Sequence, residues 1–249
     1  MLKNRGLRSP ILPMLTINNE PYLNLDQFLP LDSMPDVRQA IIESYDQIRF
    51  SYHGTALDIN GESIVQYPVT SDRTQKEAWV REMRTGLCSP YAFLFLRNGS
   101  KSNNKHAPWI YDSIIDPEEI WDSFEWNTKQ VWDPFTDWVE TLPLKKIGSV
   151  YFFLQRPYVI PNHHQDHLTD KPYPHRQEFI RIGLDDKHFH ILNPPDKPVK
   201  IDCKSVFFNQ QNIHGSDRSS TEWGISFRID CVFSDELREN LGIQQLEQY

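Results

Sequence analysis

Gly224-Ile225-Ser226-Phe227-Arg228-Ile229-Asp230-Cys231-Val232-Phe233 is a proline-free run in which Ile225, Phe227 and Ile229 alternate with Ser226, Arg228 and Asp230. Successive side chains of an extended strand point to opposite faces, so the run reads as a strand with one apolar and one polar face. An arginine turned into a barrel is costly unless it meets an anion, and its planar fork fits a carboxylate bidentately. Arg228 is therefore the preferred anchor for a carboxylate-bearing ligand.

Upstream of this run, from Ile147 onward, the chain is a series of short β-rich segments separated by Pro, Asn and Asp: 150–155, 178–184, 189–192, 199–202 and 206–208. Short strands with turn signals between them indicate a sandwich or small barrel. They are too few to close eight strands, so one or two more are expected from the amino-terminal half, with 91–96, closed by Asn98-Gly99, as the best candidate.

The rest of the first 146 residues reads as mainly helical. Ser33 before Pro35, then Val37, Ile41, Tyr45 and Ile48 at helical spacing, describes a capped amphipathic helix, and a second is expected over 74–85, stopped by Gly86. Asp116-Pro117 and Asp133-Pro134 each place an N-cap acid before a first-turn proline, which predicts two consecutive helices within 117–142. Trp121, Phe124, Val131, Phe135, Trp138 and Val139 would supply their buried faces, and tryptophans at such spacing read as core rather than as a ligand-stacking platform.

A chain of 249 residues with 39% hydrophobic content suffices for one substantial core, and a single domain is expected. The formal net charge of −8 gives no electrostatic footprint for a polyanion, which argues against nucleic acid as partner. Cys88, Cys203 and Cys231 are odd in number and lack CxxC spacing, as suits free thiols in a reducing compartment. Lys3, Arg5 and Arg8 precede an apolar patch over 11–15, but the patch is short, holds Pro13 and lacks a small-residue cleavage site. No run approaches the roughly 18 apolar residues of a membrane span. A soluble, cytoplasmic protein is the expectation.

His164-Gln165-Asp166 is the candidate metal motif, although with 9 His and 34 acidic residues chance alone supplies about one His-x-acid triplet. Its weight comes from context. His164 and Asp166 share parity on one extended segment, and His214 follows the apolar run Val206-Phe207-Phe208 through the polar turn 209–212, with Gly215 beside it. Two imidazoles and a carboxylate are the ligand set that holds a non-haem Fe(II) on one face and leaves the other open. An oxygenase of that type needs an electron-donating keto acid, and Arg228 supplies a cation for its far end. His163 and His167 flank the motif, but only His164 has an acid two residues later; His175, His188 and His190 read as hydrogen-bonders. Arg181 shares one strand face with Phe179 and Gly183. It reaches either the keto acid or a substrate carboxylate, or else pairs with Asp230 or Glu178. The loop 167–177 is a substrate lid, with His175 and Arg176 as contacts for an acidic group, or simply a solvated connection.

Residues 148–233 resemble the core of the Fe(II)/2-oxoglutarate-dependent oxygenases, closest in style to the aspartyl/asparaginyl β-hydroxylase-like branch. The resemblance rests on 161–166, on the strand around Arg181, on Val206-Phe207-Phe208-Asn209 leading to His214-Gly215, and on the strand carrying Ser226 and Arg228. It implies a mainly β fold with a double-stranded β-helix (jelly roll, cupin-like) core over 147–233, to which the residue patterns add flanking helices as a largely helical support over 1–146 with one or two contributing strands, and a C-terminal tail over 234–249. It further implies iron ligation by His164, Asp166 and His214, and 2-oxoglutarate held at its distal carboxylate by Arg228, with Arg181 and Ser226 nearby. The implied activity is hydroxylation of an unactivated C–H bond in a small molecule, amino acid or peptide side chain, using O2. Two departures stand out. Asp166 is present where strict aspartyl/asparaginyl hydroxylases commonly lack the acidic ligand, and Asp230 occupies the place two residues after the anchor where many oxygenases have serine. Two rival readings remain: a cupin of another class, such as a zinc or manganese isomerase or hydrolase, and a non-enzymatic jelly-roll binding module.

Overall fold

The computed structural model of the chain describes residues 17–38, 41, 51–52, 56–57, 63–65, 91–99, 117–126, 132–155, 178–185, 189–193, 197–210, 212–216 and 224–243. In chain order their elements are β1 (Tyr22–Asn24), β2 (Ser51–Tyr52), β3 (Ala56–Leu57), β4 (Ser63–Val65), β5 (Tyr91–Gly99), α1 (Pro117–Asp122), β6 (Phe124–Trp126), α2 (Asp133–Glu140), β7 (Leu144–Gln155), β8 (Glu178–Gly183), β9 (Phe189–Asn193), β10 (Lys197–Ile201), β11 (Ser205–Phe208), β12 (Ile213–Ser216), β13 (Gly224–Phe233) and α3 (Asp235–Asn240). One sheet runs β1-β11-β8-β13-β7-β5-β2, with β6 beside β5; β10-β9-β12 form a second sheet and β3-β4 a separate pair. All the strand pairs among the described residues are antiparallel.

The alternation in β13 fixes which residues go to which side of the main sheet. Phe227 stands opposite Phe152 of β7 and Ile182 of β8, and Ile229 opposite Val150 and Ile180. All six are buried. On this side α2 lays Phe135, Trp138 and Val139 against the sheet. The Phe135 ring is 5.2 Å from that of Phe227 and 5.3 Å from that of Phe152, and Trp138 reaches Phe227 at 5.9 Å. Burying an aromatic or aliphatic side chain of this size contributes about 1.5–3 kcal/mol, so this layer is the principal core. It also takes in Ile17, Leu25 and Ile41 from early in the chain and Leu237 from its end.

The helices differ from the sequence expectation in detail. The N-cap of α2 is Trp132, which makes no side-chain capping bond; Asp133 lies inside the first turn, where its charge favours the helix N-terminus, and Pro134 follows it. The two helices expected within 117–142 are both present, but β6 lies between them and carries Phe124. The amino-terminal half gives four strands to the main sheet rather than one or two, namely β1, β2, β5 and β6. β5 does not stop at Leu96: Arg97, Asn98 and Gly99 pair with β6, so Asn98-Gly99 is strand rather than turn. Near the capped helix expected from Ser33, that residue ends a 3-10 turn, and Ile41 N donates to Val37 O at 2.9 Å. Tyr45, Ile48, Val131, Cys88 and the helix expected over 74–85 lie outside the described residues.

The stretch expected as a C-terminal tail contains α3, capped by Ser234, whose Oγ accepts from Leu237 N at 3.1 Å. Leu237, Leu241 and Ile243 are buried. Arg238 Nη2 lies 2.8 Å from Glu178 Oε1 on β8, and Glu178 Oε2 accepts from Phe233 N at 2.7 Å. Burial pushes the Glu178 carboxyl up, against the opposing pull of the Phe233 amide and Arg238.

A carboxyl whose folded pKa lies above its unfolded value binds its proton more tightly in the native state, so its contribution to stability is greatest below the unfolded pKa and is lost as pH rises through the folded one. Arg238→Ala removes the only charge in the pair that opposes that rise. We expect the variant to be destabilised by about 2 kcal/mol at about pH 7, less than a fully buried pair would cost because Arg238 is partly exposed, and by less at about pH 5. Urea unfolding at the two pH values measures the difference; a deficit that is flat, or larger at the lower pH, would contradict the assignment.

Candidate functional site

The polar side of β13 meets the polar side of β8. Ser226 stands opposite Gly183, Arg228 opposite Arg181 and Asp230 opposite Phe179. Arg228 and Arg181 are thus register partners, and like charges directly opposite one another destabilise a strand pair unless compensated. Part of the compensation lies within β13 itself. Arg228 Nε donates to Asp230 Oδ1 at 2.6 Å, with the two side chains 11% and 1% exposed. Arg181 Nη2 donates to Ser226 Oγ at 3.1 Å. Among the described residues this face thus brings two guanidiniums and one carboxylate together, a grouping chemically suited to an anion.

The expected partners of Arg181 are corrected here. Asp230 is taken by Arg228, while Glu178 belongs to the opposite face, where it meets Arg238. The parity of β8 accounts for this, because Glu178 and Arg181 are three positions apart and so point to opposite sides.

Phe179 is the floor of the site. The Arg228 guanidinium carbon sits 4.1 Å from the centroid of its ring. Phe179 makes an edge contact with Phe208 of β11 at 5.0 Å, and Phe208 makes another with His214 of β12 at 5.0 Å. A continuous line of rings therefore connects Arg228 on the main sheet with His214 on the three-stranded sheet. The sequence suggested no role for Phe179 beyond its parity with Arg181.

His214 lies within β12, opposite Ile191 of β9. It is buried. Its Nδ1 lies 2.8 Å from the backbone oxygen of Asn212. A carbonyl oxygen only accepts, so Nδ1 carries the hydrogen and the neutral ring keeps its lone pair on Nε2. This is the arrangement in which a backbone carbonyl orients a histidine for ligation through Nε2, and in that respect His214 fits a metal.

His164 and Asp166, with His163, His167, His175, Arg176, His188 and the whole 167–177 loop, lie outside the described residues. Among the described residues no three of His, Cys, Asp and Glu stand together as a metal group, two of the three expected ligands being outside them. The described cysteines are poor nucleophiles. Burial pushes the Cys203 thiol up to about 12, with Asp26 adding to the rise, and raises that of Cys231 well above its usual value.

Beside Asp230, β7 contributes Gly148 and Ser149. A Cβ at Gly148 would stand 3.0 Å from Asp230 O and 3.1 Å from a ring carbon of Trp121, so glycine is what lets Trp121 close against the Asp230 end of the site. Ser149 Oγ and Asp230 Oδ2 are buried and have no hydrogen-bond partner among the described residues.

No protein-family model and no curated protein matches the chain. Solved structures similar to it include an oxidoreductase of the 2OG-Fe(II) oxygenase family from Burkholderia pseudomallei, with a TM-score of 0.32 and 10% identity, covering 65% of this chain and 82% of that one. Another is a full-length Neurospora crassa protein in complex with alpha-KG, with a TM-score of 0.38, 10% identity and coverage of 86% and 75%. A third is a prolyl-4-hydroxylase from Pseudomonas putida, with a TM-score of 0.31, 10% identity and coverage of 78% and 98%. Likeness at this level carries no argument about what this chain does, which rests on its own residues.

The His214 geometry is open to direct measurement. In metal-free protein, nitrogen-15 NMR of the imidazole is expected to show a protonated Nδ1 and a bare Nε2; the reverse tautomer would remove His214 as an Nε2 ligand.

Proposed function

We propose that the protein is an Fe(II)- and 2-oxoglutarate-dependent dioxygenase that hydroxylates an unactivated C–H bond of a small molecule, amino acid or peptide side chain. The carrying observation is the line from His214 through Phe208 and Phe179 to Arg228, which joins an Nε2-presenting histidine on one sheet to a cationic face on another. In this reading the two sheets are the halves of a jelly-roll core in a single domain, and His164, Asp166 and His214 are the iron ligands. The free thiols of Cys203 and Cys231 suit a reducing, cytoplasmic setting.

Bound Fe(II), with 2-oxoglutarate and O2, supplies the oxidising power for the hydroxylation and yields succinate and carbon dioxide. The chain's own part is positional. Asn212 O fixes the His214 ring through Nδ1. Phe179 and Asp230 hold the Arg228 fork from its face and its Nε edge, so that it meets a distal carboxylate without first having to be ordered. Arg181, donating to Ser226, adds a second cation on the same face, for the co-substrate or for a substrate carboxylate. Trp121 and the bulky rings exclude water from the Asp230 end.

Anaerobic protein reconstituted with Fe(II) is expected to develop a weak metal-to-ligand absorption band on addition of 2-oxoglutarate; no band, with zinc bound tightly instead, would overturn the oxygenase reading in favour of another metal cupin. Asp166→Ala should abolish succinate formation. Arg228→Lys keeps the charge that balances Asp230 but loses the planar fork, and should weaken 2-oxoglutarate binding about tenfold or more. Unchanged affinity in that variant would refute the anchor.

A further inference from the structure

Arg228 and Arg181 stand opposite one another, yet their side chains run to opposite ends of the polar face. The Arg228 guanidinium lies over Phe179 and bonds Asp230, and those two residues share a rung of the sheet. Arg181 reaches the other way, to the hydroxyl of Ser226, which shares a rung with Gly183. Asp230 and Ser226 are four residues apart on β13, so at roughly 3.3 Å per residue the two rungs are about 13 Å apart. Like charges gain by this divergence. A single carboxylate, with both oxygens on one carbon, does not span two forks held by partners at that separation.

The two ends differ in how they are closed. At the Asp230 end Trp121 packs over Gly148 and clusters with Phe124 and Val232, and Lys146 of β7 lies over the Trp121 ring, 5.7 Å from its centroid. The rung that the two arginines share is flanked by Tyr151 on β7 and Val206 on β11, both buried. On the next rung Phe153 faces Ser226 and Ser226 faces Gly183, and Phe153, Arg181 and Gly183 are only partly buried. A Cβ at Gly183 would meet, among the described residues, the backbone oxygens of Asp185 at 3.8 Å and Lys204 at 4.0 Å, which is ordinary van der Waals contact. Gly183 is not among the residues with positive φ either. Neither its backbone nor its described neighbours demand a glycine, and what the missing side chain leaves is room beside Arg181.

Building on the oxygenase reading, we propose that Arg181, Ser226 and Gly183 form the substrate subsite, and that the substrate carries a carboxylate which Arg181 and Ser226 receive while Gly183 gives it clearance. Arg228 then serves the keto acid and Arg181 the substrate. A serine hydroxyl that accepts from an arginine still has its own hydrogen to donate, so Ser226 and Arg181 present donors side by side. The backbone oxygens flanking Gly183 only accept, so the part of the substrate resting there is apolar or carries an N–H, and its carboxylate turns away from them toward Arg181. The described acids of this face are placed for other contacts: Asp230 bonds Arg228 at the far end, and Asp185 accepts from the Ile225 amide.

The test is nitrogen-15 NMR of the arginine Nε resonances in the full-length protein holding diamagnetic, redox-silent Zn(II), with Arg181→Gln and Arg228→Lys fixing the assignments. Addition of 2-oxoglutarate is expected to shift the Arg228 signal and to leave that of Arg181 nearly in place. N-acetylglycine, added afterwards, should shift Arg181, while N-acetylglycinamide, which lacks the carboxylate, should bind about tenfold more weakly or worse. Gly183→Val, a residue that suits a strand, should weaken N-acetylglycine binding about tenfold and leave the Kd for 2-oxoglutarate within about twofold. Should that variant not fold, Arg181→Gln carries the same test, because it should abolish the preference for acid over amide. Equal shifts of both arginines with 2-oxoglutarate, or no shift of Arg181 with millimolar N-acetylglycine, would overturn the subsite and leave the oxygenase reading standing. If 2-oxoglutarate shifts neither arginine, the anchor reading fails, and N-acetylglycine titrated without 2-oxoglutarate decides the subsite on its own.

Discussion

The register of β13 between β7 and β8 is the constraint on which the rest depends. Because strand side chains alternate strictly, one pairing decision places Phe227 and Ile229 under α2 and, in the same stroke, Ser226, Arg228 and Asp230 on the opposite face. A slip of one residue would drive a guanidinium and a carboxylate into a layer built from Phe135, Phe152 and Trp138. The stability of the apolar layer is thus what holds the polar face in position, and the site needs no separate device to select its register.

The aromatic side chains extend that control beyond a single strand. Phe179 makes T-shaped contacts with Phe207 and Phe208 and carries Arg228 on its face. A long cationic side chain loses much rotamer freedom when it is ordered, and here stacking and the Asp230 contact have removed most of it before any ligand arrives. The same Phe208 ring touches His214, so the positions of the histidine and the arginine are set against one rigid body rather than against two loops.

How much of this was legible in sequence depends on whether a segment's order is local or borrowed. β13 declares itself through alternation, and β8, β9 and β11 through runs of Val, Ile, Leu and Phe. β12, by contrast, is Ile213-His214-Gly215-Ser216, with poor strand propensity; it is a strand because β9 offers it a pairing edge, which no local pattern reveals. The extension of β5 through Asn98-Gly99 is likewise borrowed from β6. At the site, parity alone correctly put Ser226, Arg228 and Asp230 together, but it could not tell which acid would meet which arginine. Asp230 was a candidate for Arg181 because both faced the same way. The contact went instead to Arg228, two residues away on the same strand face, with Arg181 turning to Ser226.

The ion pair that ties α3 to the sheet has a consequence for how the protein is made. Glu178 leaves the ribosome about 60 residues before Arg238, and also well before the Phe233 amide that satisfies its other oxygen. Until both have emerged, inserting β8 between β11 and β13 would bury a carboxylate with nothing to meet it, an expense that a half-made sheet has little hydrophobic gain to offset. Closure of the main sheet therefore waits on residues that lie later in the sequence, and α3 acts as the latch that commits strands translated well before it.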